Sequence, residues 1–254
     1  MLEVLQIPVL KDNYIYLIHD RRSGETAAVD PAEANPVLEA LAANGWKLTH
    51  ILNTHHHGDH VGGNLELKRR TGCRIVASER DLKRIPGIDL AVGDEAVVTF
   101  GRFEARVLDV PGHTRGHIAY WLAGANALFC GDTLFALGCG RLFEGTPEEM
   151  WRSLEKLRVL PPETKVYCAH EYTQSNAGFA LTVEPENAAL KERMAQIVEL
   201  RRQGKPTVPS TLKEELATNP FLRPESEEIQ ANLGMTNADP VDVFAETRRR
   251  KDLF

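Results

Sequence analysis

Along the first two thirds of the chain, apolar residues gather in short runs of Val, Ile, Leu, Tyr and Phe bounded by Gly, Pro and Asp. Such runs predict strands. They fall at 2–7, 14–19, 26–29, 50–53, 74–77, 96–100, 104–110, 118–122, 127–130 and 165–169. Residues 96–100 and 104–110 flank Gly101-Arg102, which predicts a hairpin. Between the strands the apolar spacing lengthens to that of helices. Asn35-Pro36 reads as a cap followed by a first-turn proline, with Gly45 as the stop. Thr146-Pro147-Glu148-Glu149 combines a capping box with an N-terminal proline. Behind it Met150, Leu154 and Leu157 form one apolar stripe.

After about Tyr172 the pattern is helical throughout, and no strand is expected there. Pro185 is read as opening a helix whose face carries Leu190, Met194, Ile197 and Leu200, with Gly204 ending it. Thr211-Leu212-Lys213-Glu214 is a second capping box, and Asp239-Pro240 caps a last helix running toward Lys251. The expected organisation is an α/β domain over residues 1–172 and a smaller helical domain over 173–254.

Length and composition narrow the class. A chain of 254 residues buries a core without disulfide or metal staples. With 26% charged and 43% hydrophobic residues, it reads as globular, not disordered. The net charge of −6, from 30 basic and 36 acidic residues, argues against a nucleic-acid partner. The one basic run is Arg248-Arg249-Arg250-Lys251. Cys73, Cys130, Cys139 and Cys168 form no C-x-x-C pair, and the chain opens without a basic and apolar leader. Both features favour a reducing, cytoplasmic setting. Residues 118–140 match a membrane span in length, but Gly124-Ala125-Asn126 is a turn signal and Asp132 interrupts the apolar run. Two buried strands around a hairpin explain the stretch better, so no membrane partner is expected.

The histidines carry the chemistry. All nine precede residue 173, and seven fall in three short segments. The first, Thr54-His55-His56-His57-Gly58-Asp59-His60, follows a predicted strand and leads through glycines into a helix. Such a loop aims His55, His57, Asp59 and His60 at one place, and these donor types suit zinc and similar divalent ions. His56 is read as pointing away. The second, Gly112-His113-Thr114-Arg115-Gly116-His117, offers His113 as a ligand, with His117 packing behind. Asp132, after the strand 127–130, is read as a bridging carboxylate, and His170 in Cys168-Ala169-His170-Glu171-Tyr172 completes the set.

The series T-H-x-H-x-D-H, G-H-T-x-G-H, G-D-T-L-F and H-E-Y-T resembles the metallo-β-lactamase superfamily, and within it the glyoxalase II family of hydroxyacylglutathione hydrolases. Asp12-Asn13-Tyr14, Gly138-Cys139-Gly140-Arg141, Asn219-Pro220-Phe221-Leu222-Arg223 and the final Arg248 to Asp252 extend the likeness over nearly the whole chain. The first histidine motif is shared by many hydrolases of the superfamily; the helical tail is far more selective.

The resemblance implies an α/β fold, a four-layer αβ/βα sandwich with a C-terminal helical domain. It implies two divalent metal ions, zinc first, with iron or manganese as alternatives. His55, His57 and His113 would hold one, Asp59, His60 and His170 the other, and Asp132 would bridge them. The implied reaction is hydrolysis of S-D-lactoylglutathione to glutathione and D-lactate, in the detoxification of methylglyoxal. Its catalytic residues are His55, His57, Asp59 and Asp132, and its partner a glutathione thioester; a monomer is expected. The implied substrate contacts are Arg141, Phe143, Tyr172, Asn176, Arg248 and Lys251. Arg141 stands where the family usually has lysine, and Phe143 where tyrosine is common. A lactonase, β-lactamase or phosphodiesterase on the same site, a one-metal persulfide-oxidising iron protein, and a metal-stabilised binding module are the alternative readings.

Overall fold

The computed structural model describes residues 2–254, which divide into two compact units. The first comprises residues 2–109 and 115–131. It contains strands β1 (Leu2–Val9), β2 (Asn13–Asp20), β3 (Glu25–Val29), β4 (Lys47–Leu52), β5 (Arg74–Ser78) and β6 (Leu90–Val92), which form a six-stranded sheet in chain order. β1, β2 and β3 pair antiparallel, as tight turns allow. From β3 to β6 the pairing is parallel, because crossovers intervene. Helix α1 (Ala34–Asn44) makes the first crossover, and α2 (Gly58–Val61) with α3 (Asn64–Thr71) the second. Ile15, Leu17, Ala28, Val37, Leu41, Ile51, Leu67 and Ile75 are buried together between sheet and helices.

Four more strands complete this unit: β7 (Val97–Phe100), β8 (Phe103–Asp109), β9 (Ile118–Leu122) and β10 (Ala127–Gly131). They form an antiparallel meander, with Phe100 opposite Phe103 at the expected hairpin. β9 and β10 are the two arms of the long apolar stretch, and Asn126 turns between them at φ 48°. Tyr120 of β9 donates to Asn53 O at 3.0 Å and lies 3.2 Å from Val76 O. Burial holds its hydroxyl protonated well beyond the usual phenol range, so it remains a donor. The meander is thereby tied to the backbone where β4 ends and the histidine loop begins.

The second unit comprises residues 110–114 and 132–254. Strands β11 (Leu134–Phe135) and β12 (Gly138–Cys139) form a small hairpin, and β13 (Lys165–Cys168) pairs antiparallel with β14 (Ser210–Thr211). Helices α4 (Pro147–Arg158), α5 (Thr173–Val183), α6 (Ala188–Arg202), α7 (Leu212–Thr218), α8 (Glu227–Leu233) and α9 (Pro240–Leu253) make up the rest. Both predicted capping boxes form, at Thr146 with Glu149 and at Thr211 with Glu214. Met150, Leu154 and Leu157 are fully buried, as their spacing requires.

Three local expectations are corrected. α1 begins at Ala34 after Glu33, so Asn35 lies inside the helix. α6 begins after Asn187, whose side chain accepts from Leu190 N; this cap wins over Pro185, which stays in the connection. A strand does occur after Tyr172, the two-residue β14, too short for any hydrophobic period to reveal. Among the described residues no helix is long and apolar enough to cross a membrane.

Candidate metal centre

In the first unit the donors sit at the carboxyl end of β4, where a parallel strand releases the chain into a loop. Asn53, Thr54 and His55 are fully buried. His57 precedes α2 in extended conformation, which places Asp59 and His60 in that short turn of helix. His55 Nε2 lies 3.1 Å from His57 Nδ1, and the His55 and His60 rings are 4.0 Å apart. His60 Nε2 lies 3.5 Å from Asp59 Oδ2.

Buried Asp30 sets which nitrogens face outward. It sits at φ 47° just after β3, and Thr54 donates to it through N at 2.8 Å and Oγ1 at 2.6 Å. Asp30 Oδ2 also lies 3.1 Å from His60 Nδ1. A carboxylate accepts, so His60 carries its proton on Nδ1 and its Nε2 is unprotonated. Thr54 Oγ1 already donates to Asp30, so at 3.1 Å it accepts from His55 Nδ1, which leaves His55 Nε2 unprotonated as well. Asp30, His55 and His60 offer donor atoms within 4.8 Å of one another. Asp30 is engaged with Thr54 and His60 Nδ1, so it stands behind the histidines and orients them. The motif reading missed it, although Asp30-Pro31 at a strand end, one crossover before the histidine loop, is a visible signal.

The remaining residues of this loop support it. Asn13 donates to Asp59 Oδ2 at 2.9 Å. His117 stacks on His55 at 4.6 Å, the packing role expected of it. His56 turns toward Arg84 and Asp81, at 3.4 and 3.7 Å. Gly131 is required at φ 49°, since a Cβ there would come within 2.3 Å of Thr54 Oγ1.

In the second unit His113, Asp132 and His170 converge. Asp132 Oδ2 is 3.4 Å from His113 Nε2 and 3.4 Å from His170 Nε2. His113 Nδ1 lies 2.9 Å from Arg141 O. A carbonyl accepts, so that nitrogen carries the proton and Nε2 turns a lone pair toward the carboxylate. Two lone pairs facing each other in a nearly dry place repel unless a cation lies between them. The donor set therefore fits a divalent ion, with imidazole and carboxylate ligands and no thiolate. Gly140 packs against Asp132 so closely that a Cβ would lie 2.0 Å from Asp132 O.

The residues expected to meet substrate lie in this same unit. Phe143 is 62% exposed, with its ring 5.2 Å from the His113 ring. Tyr172 stacks on His170 at 4.7 Å. Arg141 extends into solvent 3.8 Å from Asp252. Asn176 is buried and donates to Ala136 O at 3.1 Å. Arg248 is buried too; it donates to Cys139 O at 2.9 Å and Asp252 Oδ1 at 2.8 Å, over the Phe221 ring. Lys251 Nζ lies 3.3 Å from Ser175 Oγ and 4.8 Å from the Phe254 ring. Burial pushes the Cys139 thiol up to about 11 and Cys168 up to about 12, so neither is a thiolate at neutral pH.

Residues 12–170 match the profile of the metallo-β-lactamase superfamily, and the chain belongs to it. Residues 171–254 match the profile described as hydroxyacylglutathione hydrolase C-terminus. Within the superfamily the chain is a member of the hydroxyacylglutathione hydrolases. It is 68% identical over 254 residues to the hydroxyacylglutathione hydrolase of Methylococcus capsulatus, covering 100% of this chain and 99% of that one. It is 56% identical over 253 residues to the enzyme of that name from Rhodospirillum rubrum, covering 100% and 99%. A solved structure, TTHA1623 in a di-iron-bound form, superposes with a TM-score of 0.62 at 26% identity, over 87% of this chain and 100% of that one. The expected fold class, a metallo-β-lactamase fold with a C-terminal helical domain, is borne out.

Proposed function

We propose that this enzyme hydrolyses S-D-lactoylglutathione and related S-(2-hydroxyacyl)glutathiones to glutathione and the free hydroxy acid, the second step of methylglyoxal detoxification. The observation that carries the hydrolytic reading is the single Asp132 oxygen placed 3.4 Å from two histidine nitrogens. The substrate class is supported by the name shared by the full-length relatives and by the match of residues 171–254.

His55, His57 and His113 would hold one divalent cation and Asp59, His60 and His170 the other, with Asp132 as a carboxylate ligand common to both. Zinc is the proposed metal; iron and manganese suit the same donors. When bound, the pair supplies Lewis acidity and a water acidified to near neutral pH. Asp59, braced by Asn13, orients that water through a hydrogen bond. Water oxygen bonds to the acyl carbon, the C–S bond breaks, and the sulfur leaves with the electron pair as a thiolate. The water proton passes to Asp59 or to solvent. No protein nucleophile is needed, and the protonated thiols of Cys139 and Cys168 fit that.

Residues 1–172 form the catalytic domain and 173–254 the glutathione-binding domain. Lys251 and Arg141 attract the anionic ends of glutathione, with Arg248 beside them. Phe143 and Tyr172 give apolar walls next to His113 and His170, and Asn176 shapes the adjoining hairpin. The enzyme acts as a cytoplasmic monomer, and its four buried cysteines suit a reducing compartment. The test is thioester cleavage of S-D-lactoylglutathione by metal-loaded protein beside a chelated control. Rapid, chelator-sensitive turnover is expected. No turnover by protein carrying two ions would discard the substrate.

A further inference from the structure

The hairpin after Asp132 is held from outside. Four successive residues at its turn each offer a backbone group to a side chain of the helical region. Phe135 O accepts from Asn219 Nδ2 at 3.1 Å, and Ala136 O accepts from Asn176 Nδ2 at 3.1 Å. Leu137 N donates to Glu215 Oε2 at 2.8 Å, and Gly138 O accepts from Asn219 Nδ2 at 3.0 Å. Leu137 is held at φ 59°, a left-handed backbone that leucine rarely adopts. Its side chain is buried with Ala177, Ala180, Leu190 and Ile197.

The clamp is itself fully wired. Glu215 is completely buried and accepts from Asn219 Nδ2 at 3.0 Å and from Arg193 Nη2. Arg193 Nη1 donates to Thr218 Oγ1 at 2.7 Å. At the open end of the hairpin, Gly140 N donates to Thr133 O at 3.2 Å, directly beside Asp132. An isolated two-stranded hairpin is marginal in water, and this one has only two residue pairs. Its own ladder is too short to fix the carboxylate at its base.

We propose that Glu215 and Asn219 are positioning residues for Asp132: they clamp the turn from Phe135 to Gly138 and so hold the carboxylate between His113 and His170. This rests on the reading of Asp132 as a metal ligand. Charge-assisted bonds from one buried carboxylate are strong and directional, which suits them to fixing a turn that leucine would otherwise leave.

The test measures zinc affinity by competition with a chromophoric chelator, without substrate. Asn219→Ala and Glu215→Gln are compared with the parent and with Ser226→Ala, which loses a helix cap away from the hairpin. Zinc binding is expected to weaken about 10- to 100-fold in the two hairpin variants, the usual cost of removing an outer partner of a ligand. Ser226→Ala keeps parental zinc affinity while its Tm falls. In the thioester assay kcat should fall with KM little changed. Zinc affinity within twofold of the parent in folded Asn219→Ala would overturn the proposal. If that variant does not fold, Glu215→Gln decides, since one neutral amide oxygen cannot accept from both Arg193 and the turn at Leu137. Because zinc affinity is read without substrate, a failure to cleave the thioester leaves this test intact. Normal cleavage with unchanged zinc affinity overturns this inference alone.

Discussion

The proposed role of Lys251 makes a quantitative demand on pH. Its ammonium is half-buried between Phe179 and Phe254, at 5.4 and 4.8 Å from their rings. Burial is the largest influence, the charges of Arg248 and Arg141 add to it, and Asp252 partly opposes them; together they push its pKa down to about 8. Lysine ordinarily titrates near 10.4. The sign follows directly: the cation is nearly complete at pH 7 and is lost as pH rises through 8. At pH 9 about one molecule in ten keeps the charge. If that charge holds an anionic end of the substrate, kcat/KM should drop about tenfold between pH 7 and 9, since this ratio reports the free enzyme. The kcat profile should show no matching break, because a bound anion raises the lysine pKa again. Lys251→Arg is the reference, since its guanidinium stays charged throughout. Substrate groups titrate equally for both proteins, so the ratio of the two profiles isolates the lysine. A ratio that stays flat from pH 7 to 9.5 would refute the assignment.

Asp132→Ala should lose bound metal and lower kcat by more than about a hundredfold, beyond the upper range for an outer partner; metal analysis after gel filtration checks it, and two ions with normal turnover would contradict the shared-ligand role. Thr146→Ala should destabilise the protein by about 1 kcal/mol, because Glu149 N at 3.2 Å loses its cap acceptor. In urea the midpoint should fall with an unchanged slope, and no shift in the midpoint would mean the cap contributes nothing.

Much of this protein is legible in the chain because its signals are local. The capping boxes at Thr146 and Thr211 need four residues each, and both formed. The β9–β10 turn needed only Gly124 to Asn126, and the histidine loop needed only a strand followed by glycines. Where the structure departs from the local reading, a competing local bond decided it, as at Asn187, or an element was too short to show a period, as at β14. What the chain could not reveal is set by contacts distant in sequence. Asp30 lies 24 residues from Thr54 and 30 from His60, yet it selects the ring nitrogens those histidines present. Glu215 lies 78 residues from Leu137, and Asn219 lies 81 from Gly138, yet they hold the hairpin beside Asp132. Arg248 opens the basic run near the chain end, but packing buries it against Cys139 and Phe221. The sequence by itself determined which donors are available and roughly where they sit on strands and loops. Tertiary structure decided which proton each imidazole carries, which turn is clamped, and which charges lose their water, because those depend on groups that only folding brings within hydrogen-bond range.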